Sequence, residues 1–124
     1  MAVPTTEQVL IGVGLTPAIK DFNLIVEFFT TYADLKVTKF NGKKLKTRQV
    51  YEIVGEKLGI HPTIVESACR KTMNFIYKKT KYKYLFKYFN LELETEFKPT
   101  TTELANLLTL IERDRRRELQ KTSV

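Results

Sequence analysis

The twenty residues from Tyr51 to Arg70 constrain the fold more than any other part of the chain. Gly55 stands where two helices that cross steeply need a small residue, and Gly59 stands where the turn between them needs a positive φ. The positions that must face inward or fill the turn are all apolar: Val54, Leu58, Ile60, Val65 and Ala68. All seven residues stand at the spacing that this motif requires. Together they predict two helices joined by a tight turn, a helix-turn-helix.

Helical signals also cover the first third of the chain. A short helix is predicted over about residues 6–13. Thr16-Pro17 has the pattern of a cap followed by proline at the first helical position, which predicts a second helix that runs to about Asp34. The buried face of that helix would carry apolar residues spaced by three and four: Ile19, Phe22, Ile25, Phe29 and Tyr32.

Asn41-Gly42 is a turn signal in a lysine-rich setting, so the residues around it are predicted to form a loop or a small hairpin. Thr100 and Glu103 have the spacing of a capping box, which predicts the start of a last helix. Between residues 78 and 89 lysines alternate with aromatic residues, a pattern that fits a short helix or an extended edge. These signals predict an all-α fold, one helix-turn-helix domain of five to six helices over residues 1–124.

Positive charge is concentrated in the middle of the chain. Residues 36–87 contain fourteen Lys and Arg against three acids, whereas the rest of the chain has seven bases and eleven acids. A solvated surface normally intersperses the two signs, so this segregation indicates a field that attracts a polyanion such as a nucleic acid. A basic surface without any partner accounts equally well for the charge alone.

Several function classes find no support in the sequence. No run approaches the ~20 apolar residues of a membrane span, and the short apolar run Val9–Leu15 lacks the flanks of a signal peptide. With one cysteine, Cys69, and one histidine, His61, neither an intrachain disulfide nor a metal site is expected. No acid, base and nucleophile form a set, so we expect a cytoplasmic, nucleoid-associated protein that is not an enzyme and needs no cofactor.

The second helix of the predicted helix-turn-helix has two different faces. Projected at 100° per residue, its inward side carries small and apolar residues: Val65, Ala68, Cys69, Thr72 and Ile76. Its outward side is polar and then basic, as a DNA recognition helix requires, and we predict that five residues read base edges: Thr63, Glu66, Ser67, Arg70 and Asn74. Basic residues around them are predicted to contact phosphates: Lys43, Lys44, Lys46, Arg48, His61, Lys71, Lys78 and Lys79.

The start of this helix has two interpretations. Pro62 has the properties of a first helical residue, since its missing N–H and fixed φ suit that position. Thr63 and Glu66 instead match a capping box. In the second case Glu66 is structural and leaves the base-reading set.

Four short stretches resemble a known family: Ile11–Val13, Pro17-Ala18-Ile19-Lys20, Val65-Glu66 with Ala68 and Arg70, and Lys98-Pro99-Thr100. In their order and spacing, from Ile11 to about Asp114, they resemble the C-terminal effector domains of the stage-zero sporulation protein A family, response regulators that start sporulation. The resemblance implies a six-helix fold whose third and fourth helices form the helix-turn-helix. It also implies transcriptional control through short repeated DNA boxes, bound by copies of the domain lying side by side.

The resemblance carries over to individual residues in part. Glu66 and Arg70 stand at matching positions of the recognition helix, and Thr63 replaces a similar hydroxyl residue. Ile64 and Ser67 stand where the family carries arginines, so the resemblance does not extend to the family's target sequence. Without a receiver domain, control by phosphorylation is not implied.

Three hypotheses of function follow. The leading one is a sequence-specific transcription regulator that binds double-stranded DNA. A second is an adaptor whose helix-turn-helix docks on a protein such as RNA polymerase or another regulator, with charge steering the association. A third is binding of single-stranded nucleic acid through the lysine and tyrosine run of residues 78–88, whose rings would stack on bases.

Overall fold

The computed structural model describes residues 3–79 and 100–122. Within these residues the secondary structure is helical, with no strand, which confirms the all-α fold. The described part contains five helices: α1 (Thr6–Gly12), α2 (Phe22–Val37), α3 (Thr47–Leu58), α4 (Pro62–Lys79) and α5 (Thr101–Thr122). None of the described helices is long and apolar enough to cross a membrane. Most of the 78–89 run, from residue 80 onward, lies outside the described residues.

Helix α2 lies at the centre of the fold and packs against each of the other four helices. Its core-facing side is largely aromatic, with Phe28 and Phe29 in an edge-to-face contact at a centroid distance of 5.0 Å. Tyr32 is fully buried, and its hydroxyl donates a 2.8 Å hydrogen bond to Oδ1 of Asn106 on α5. Burial of each such ring contributes about 1.5–3 kcal/mol, so α2 supplies much of the apolar stabilisation of the domain.

Helix α1 begins at a capping box. The Gln8 N–H donates to Oγ1 of Thr5 at 3.2 Å, and the Thr5 N–H donates to Oε1 of Gln8 at 2.9 Å. After the helix Gly14 takes a φ of 108°, and the Leu15 N–H returns to the Leu10 carbonyl at 3.1 Å. The short first helix expected near residues 6–13 is thereby confirmed.

The predicted start of the second helix is wrong. Thr16-Pro17 does not begin it, because the Ile19 N–H bonds to the Thr16 carbonyl and the Phe22 N–H to the Ile19 carbonyl, three residues back in each case. These bonds tighten residues 17–21 into turns, and Ile19 packs half-buried against the core. Helix α2 begins at Phe22 and continues past the predicted end at Asp34 to Val37.

The loop between α2 and α3 contains the predicted turn. Gly42 has a φ of +75°, which confirms the Asn41-Gly42 signal, and this segment is a loop without the strands of a hairpin. Leu45 is buried and anchors the loop to the core, while Lys43 and Lys44, which follow the turn, are exposed. The loop therefore presents two lysines beside the start of α3.

Helix α5 begins at the predicted capping box. The Glu103 N–H donates to Oγ1 of Thr100, the Thr100 N–H donates to Oε1 of Glu103, and both distances are 3.1 Å. One residue into the helix, Oγ1 of Thr102 lies 2.5 Å from Oγ1 of Thr47, the first residue of α3. This contact joins the starts of α3 and α5.

Candidate nucleic-acid interface

The turn between α3 and α4 is built on a glycine in the left-handed conformation. Gly59 has φ 70° and ψ 32°. The Ile60 N–H donates to the Gly55 carbonyl at 2.9 Å and the Gly59 N–H to the Glu56 carbonyl at 3.4 Å, the two hydrogen bonds of a Schellman motif. The predicted role of Gly59 is confirmed, and Ile60 packs half-buried against the core as the turn requires.

Gly55 lies in close contact with the chain that enters α4. A Cβ at this position would lie 2.7 Å from the carbonyl oxygen of Ile60 and 3.3 Å from the Pro62 nitrogen, so no larger residue fits without a shift. Val54 on α3 and Val65 on α4 are fully buried beside it. The predicted need for a small residue at the crossing is confirmed, and we call residues 47–79 the α3–α4 unit.

One of the seven predicted positions is wrong. Leu58 was expected to face inward, yet its side chain is 44% exposed. The helices cross at Gly55, almost one turn earlier, and Leu58 is the last residue of α3. The inward face of α3 is formed instead by Val50 and Val54, both fully buried and one turn apart.

The start of α4 is organised by His61. Helix α4 begins at Pro62, which confirms the interpretation with proline at the first helical position and places Thr63 inside the helix. The Thr63 N–H donates to Nδ1 of His61 at 3.2 Å, and Oγ1 of Thr63 lies 2.8 Å from the same nitrogen. Because Nδ1 accepts the hydrogen bond from the Thr63 N–H, His61 acts as a cap, and its other ring nitrogen, Nε2, is the one that can donate to a further partner.

The two predicted faces of α4 are present. All five residues of the inward side are buried, together with Met73: Val65, Ala68, Cys69, Thr72 and Ile76. On the opposite side four of the five predicted base-reading residues are exposed, namely Thr63, Glu66, Arg70 and Asn74, and Ser67 is half-buried. The helix therefore presents a polar face to solvent along its first three turns, and the roles assigned to these side chains stay predictions.

Most of the predicted phosphate-contacting residues are also at the surface. The side chains of Lys78 and Lys79, at the end of α4, lie outside the described residues. The other six are exposed: Lys43, Lys44, Lys46, Arg48, His61 and Lys71. They come from the loop before α3, from the start of α3 and from α4, so the fold arranges them around the α3–α4 unit.

A cavity of about 570 Å³ lies between α3 and the start of α4. Arg48 and His61, two predicted phosphate-contacting residues, line it together with Thr63 and Glu66, two predicted base-reading residues. Arg48 forms an ion pair of 3.7 Å with Glu52, and both side chains are largely exposed. Such a surface pair contributes only about 0–1 kcal/mol, so Arg48 is free to exchange this partner for another anion.

The concentration of positive charge is partly offset at one place. Lys57, counted in the basic segment, forms an ion pair of 2.5 Å with Glu27 of α2. The loop lysines have no comparable carboxylate partner among the described residues, although Lys36 donates to the carbonyl of Lys43. Among the described residues, exposed lysines therefore remain in the loop, at Lys43, Lys44 and Lys46, and exposed cations remain on α4, at Arg70 and Lys71.

Two ionisable groups next to the interface are held neutral. Burial, with a smaller effect from the Glu66 carboxylate, raises the pKa of the Cys69 thiol to about 12. Burial first, then Cys69 and Glu66, raise the pKa of Tyr51 to about 12, and its ring stacks on Phe28 at 5.1 Å. Since a nucleophilic cysteine needs a lowered pKa, Cys69 is a core residue, as expected. Among the described residues no group of three or more His, Cys, Asp and Glu is placed to hold a metal.

The sequence interpretation missed Ile64. Its side chain is 52% exposed in the first turn of α4, beside the predicted base-reading residues. The predicted outward face was defined by polar residues and so left out an apolar residue on its border. The signal that could have identified it is the resemblance, because Ile64 stands where the family carries an arginine. The single-strand hypothesis involves residues 80–88, which lie outside the described residues.

The chain was compared with protein families, with curated proteins and with solved structures. A family model described as "Sporulation initiation factor Spo0A C terminal" matches residues 6–111, which include α1 to α4 and the first half of α5. The comparison with curated proteins found no match, and the comparison with solved structures found none either. The matched family is a DNA-binding effector domain of a sporulation response regulator. The match spans most of the chain, and the chain therefore belongs to the family of Spo0A C-terminal domains.

Proposed function

We propose that this chain is a sequence-specific transcription regulator that reads double-stranded DNA with the outward face of α4. The observation that carries the proposal is the division of α4 into a buried face and a polar face that starts at a tight turn. Arg70 and Asn74 are exposed one turn apart, and these side chains pair with guanine and adenine in the major groove. Thr63 and Glu66 precede them on the same side.

In the proposed complex, the residues around α4 contact DNA phosphates, while the outward face of α4 contacts the bases. His61 carries its free donor at the N-terminal end of α4, where the helix dipole also attracts anions. Lys43, Lys44 and Lys46 lie in the loop that leads into α3, and Lys71 lies on α4 itself. Contacts from these residues to phosphates would fix the orientation of α4 in the groove without reading sequence.

Selection from random duplex DNA tests the proposal. Binding is measured by gel shift at two salt concentrations, and the bound duplexes are sequenced after each round. We expect an enriched motif that persists at the higher salt, because base contacts do not depend on counterion release. Binding without a motif and with a steep salt dependence would favour non-specific or single-strand binding. A complete lack of binding would favour the adaptor that docks on RNA polymerase or another regulator.

We further propose that copies of the domain bind side by side on repeated boxes. If they do, a duplex with two copies of the selected motif binds two molecules, and its affinity per box exceeds that of a single box at the correct spacing. Varying the spacing by half a helical turn provides the control, because it moves the second box to the opposite side of the duplex. Equal affinity at every spacing would contradict side-by-side binding.

A further inference from the structure

Ile64 is an exposed apolar residue at the start of a polar helix face. Six large hydrophobic residues of the described chain are exposed, and Ile64, at 52%, is the one that belongs to α4. Its main chain is fixed by a 2.9 Å hydrogen bond from the Ile64 N–H to the His61 carbonyl. The side chain is β-branched and therefore has few rotamers, so it projects from the first turn in a defined direction.

The position of Ile64 on the helix places it beside the base-reading residues. At about 100° per residue it lies roughly 60° from Ser67 and roughly 20° from Lys71, which follows it two turns later. In the other direction around the helix, Val65 lies about 100° from Ile64 and is fully buried, so it belongs to the inward face. Ile64 therefore borders the face that the proposed function brings into the major groove.

The residues around Ile64 distinguish between two roles of an exposed apolar side chain, docking on a protein and contact with a base. Docking on a protein would need a cluster of apolar residues, because protein interfaces are built around packed apolar anchors. Among the α4 residues within about 60° of Ile64, Lys71 and Ser67 are polar. Ala68 is buried and Phe75 packs against the core, so none of these residues adds a second exposed apolar side chain. The major groove presents one apolar group within reach of such a face, the 5-methyl group of thymine.

We infer that Ile64 is a specificity-determining residue that packs against the 5-methyl group of a thymine in the target site. The inference rests on the proposed function and names the base that this side chain selects. One base pair of the target should be T·A. The preference of the protein for this pair over C·G, and for thymine over uracil, should depend on the side chain at position 64.

The test removes the thymine methyl group without changing base pairing. Each thymine of the duplex selected by the wild-type protein is replaced in turn by deoxyuridine, and affinity is measured for the wild type and for Ile64→Ala. We expect one thymine whose replacement weakens the wild type roughly fourfold, the value for burial of one methyl group. Ile64→Ala should bind the original site more weakly and should lose this sensitivity to deoxyuridine.

Two further variants sharpen the result. Leu110→Ala truncates an apolar side chain on α5 that is 45% exposed, and it should keep the full deoxyuridine effect. Ile64→Val keeps the β-branched contact and should keep most of it. The inference would be overturned if Ile64→Ala kept the full deoxyuridine effect, or if no thymine of the site were sensitive in the wild type. In either case the selected motif would still support the proposed function. If the wild type selects no motif at all, the proposed function fails and this inference fails with it.

Discussion

Gly55 and Ile60 constrain each other in both directions. The Gly55 carbonyl accepts the Ile60 N–H at 2.9 Å, and the carbonyl of Ile60 lies 2.7 Å from the place that a Cβ of residue 55 would occupy. The hydrogen bond closes the turn, and the close approach sets how near α4 can come to α3. This pair therefore determines the direction in which the polar face of α4 points.

Gly59→Val should destabilise the fold by more than about 1 kcal/mol. No atom lies within 4 Å of a Cβ at this position, so the cost comes from holding a β-branched residue at φ +70° rather than from a clash. The free energy of unfolding in urea measures it. Gly59→Asn is the control, because asparagine tolerates the left-handed region and should recover much of the loss. Equal stability of the valine variant and the wild type would contradict the assigned turn.

Gly55→Ala should also destabilise the fold, for a different reason. The added methyl group meets the Ile60 carbonyl at 2.7 Å, and relief of that contact requires the start of α4 to shift, at a cost of about 1–3 kcal/mol. Residue 55 is helical, and in a helix alanine is more favourable than glycine. A loss of stability in Gly55→Ala therefore cannot come from backbone conformation and must come from the contact with Ile60. A variant as stable as the wild type would show that the two helices are not in close contact there.

The parts of the fold that were predictable are those in which a local feature has one structural solution. Gly55 and Gly59 could be interpreted because few residues other than glycine satisfy a close approach or a positive φ. Thr16-Pro17 carries an equally good local signal, but the packing of Ile19 against the core keeps the following residues in turns. The exposure of a side chain near a helix end, as for Leu58 and Ile64, depends on where the neighbouring helices end. The residues next to it in the sequence do not determine this.

Alkaline pH should destabilise the domain through Cys69. The folded state raises the thiol pKa from 9.0 to about 12, so the contribution of this group is fully present below about pH 9 and is lost as pH rises toward 12. The expected loss is on the order of 1.4 kcal/mol per pH unit in that window. Cys69→Ala provides the comparison, since Tyr51 and the lysines remain in both proteins. Parallel stability curves of the two proteins between about pH 9 and about pH 11 would contradict the assignment.

The loop lysines should affect DNA binding without affecting sequence preference. Lys43→Ala together with Lys44→Ala should weaken all duplexes alike and should lower the slope of log affinity against log salt by up to ~2, because each phosphate contact releases counterions. Both side chains are exposed, so the fold should not change. Lys57→Ala, which removes a lysine paired with Glu27, is the matched control and should leave the slope unchanged. A change in base preference in the double variant would show that the loop reads sequence.

The central claim, that the outward face of α4 reads bases, is tested most directly with Arg70. Binding of Arg70→Ala is measured against the selected duplex and against every single base-pair variant of it, with Lys71→Ala beside it as the adjacent exposed cation. Arg70→Ala should lose about 1–3 kcal/mol on the selected site and should become indifferent at one base pair, while Lys71→Ala should weaken every duplex to a similar extent. If Arg70→Ala instead weakens all duplexes equally and keeps every base preference, then Arg70 contacts phosphate and α4 does not read the sequence through it.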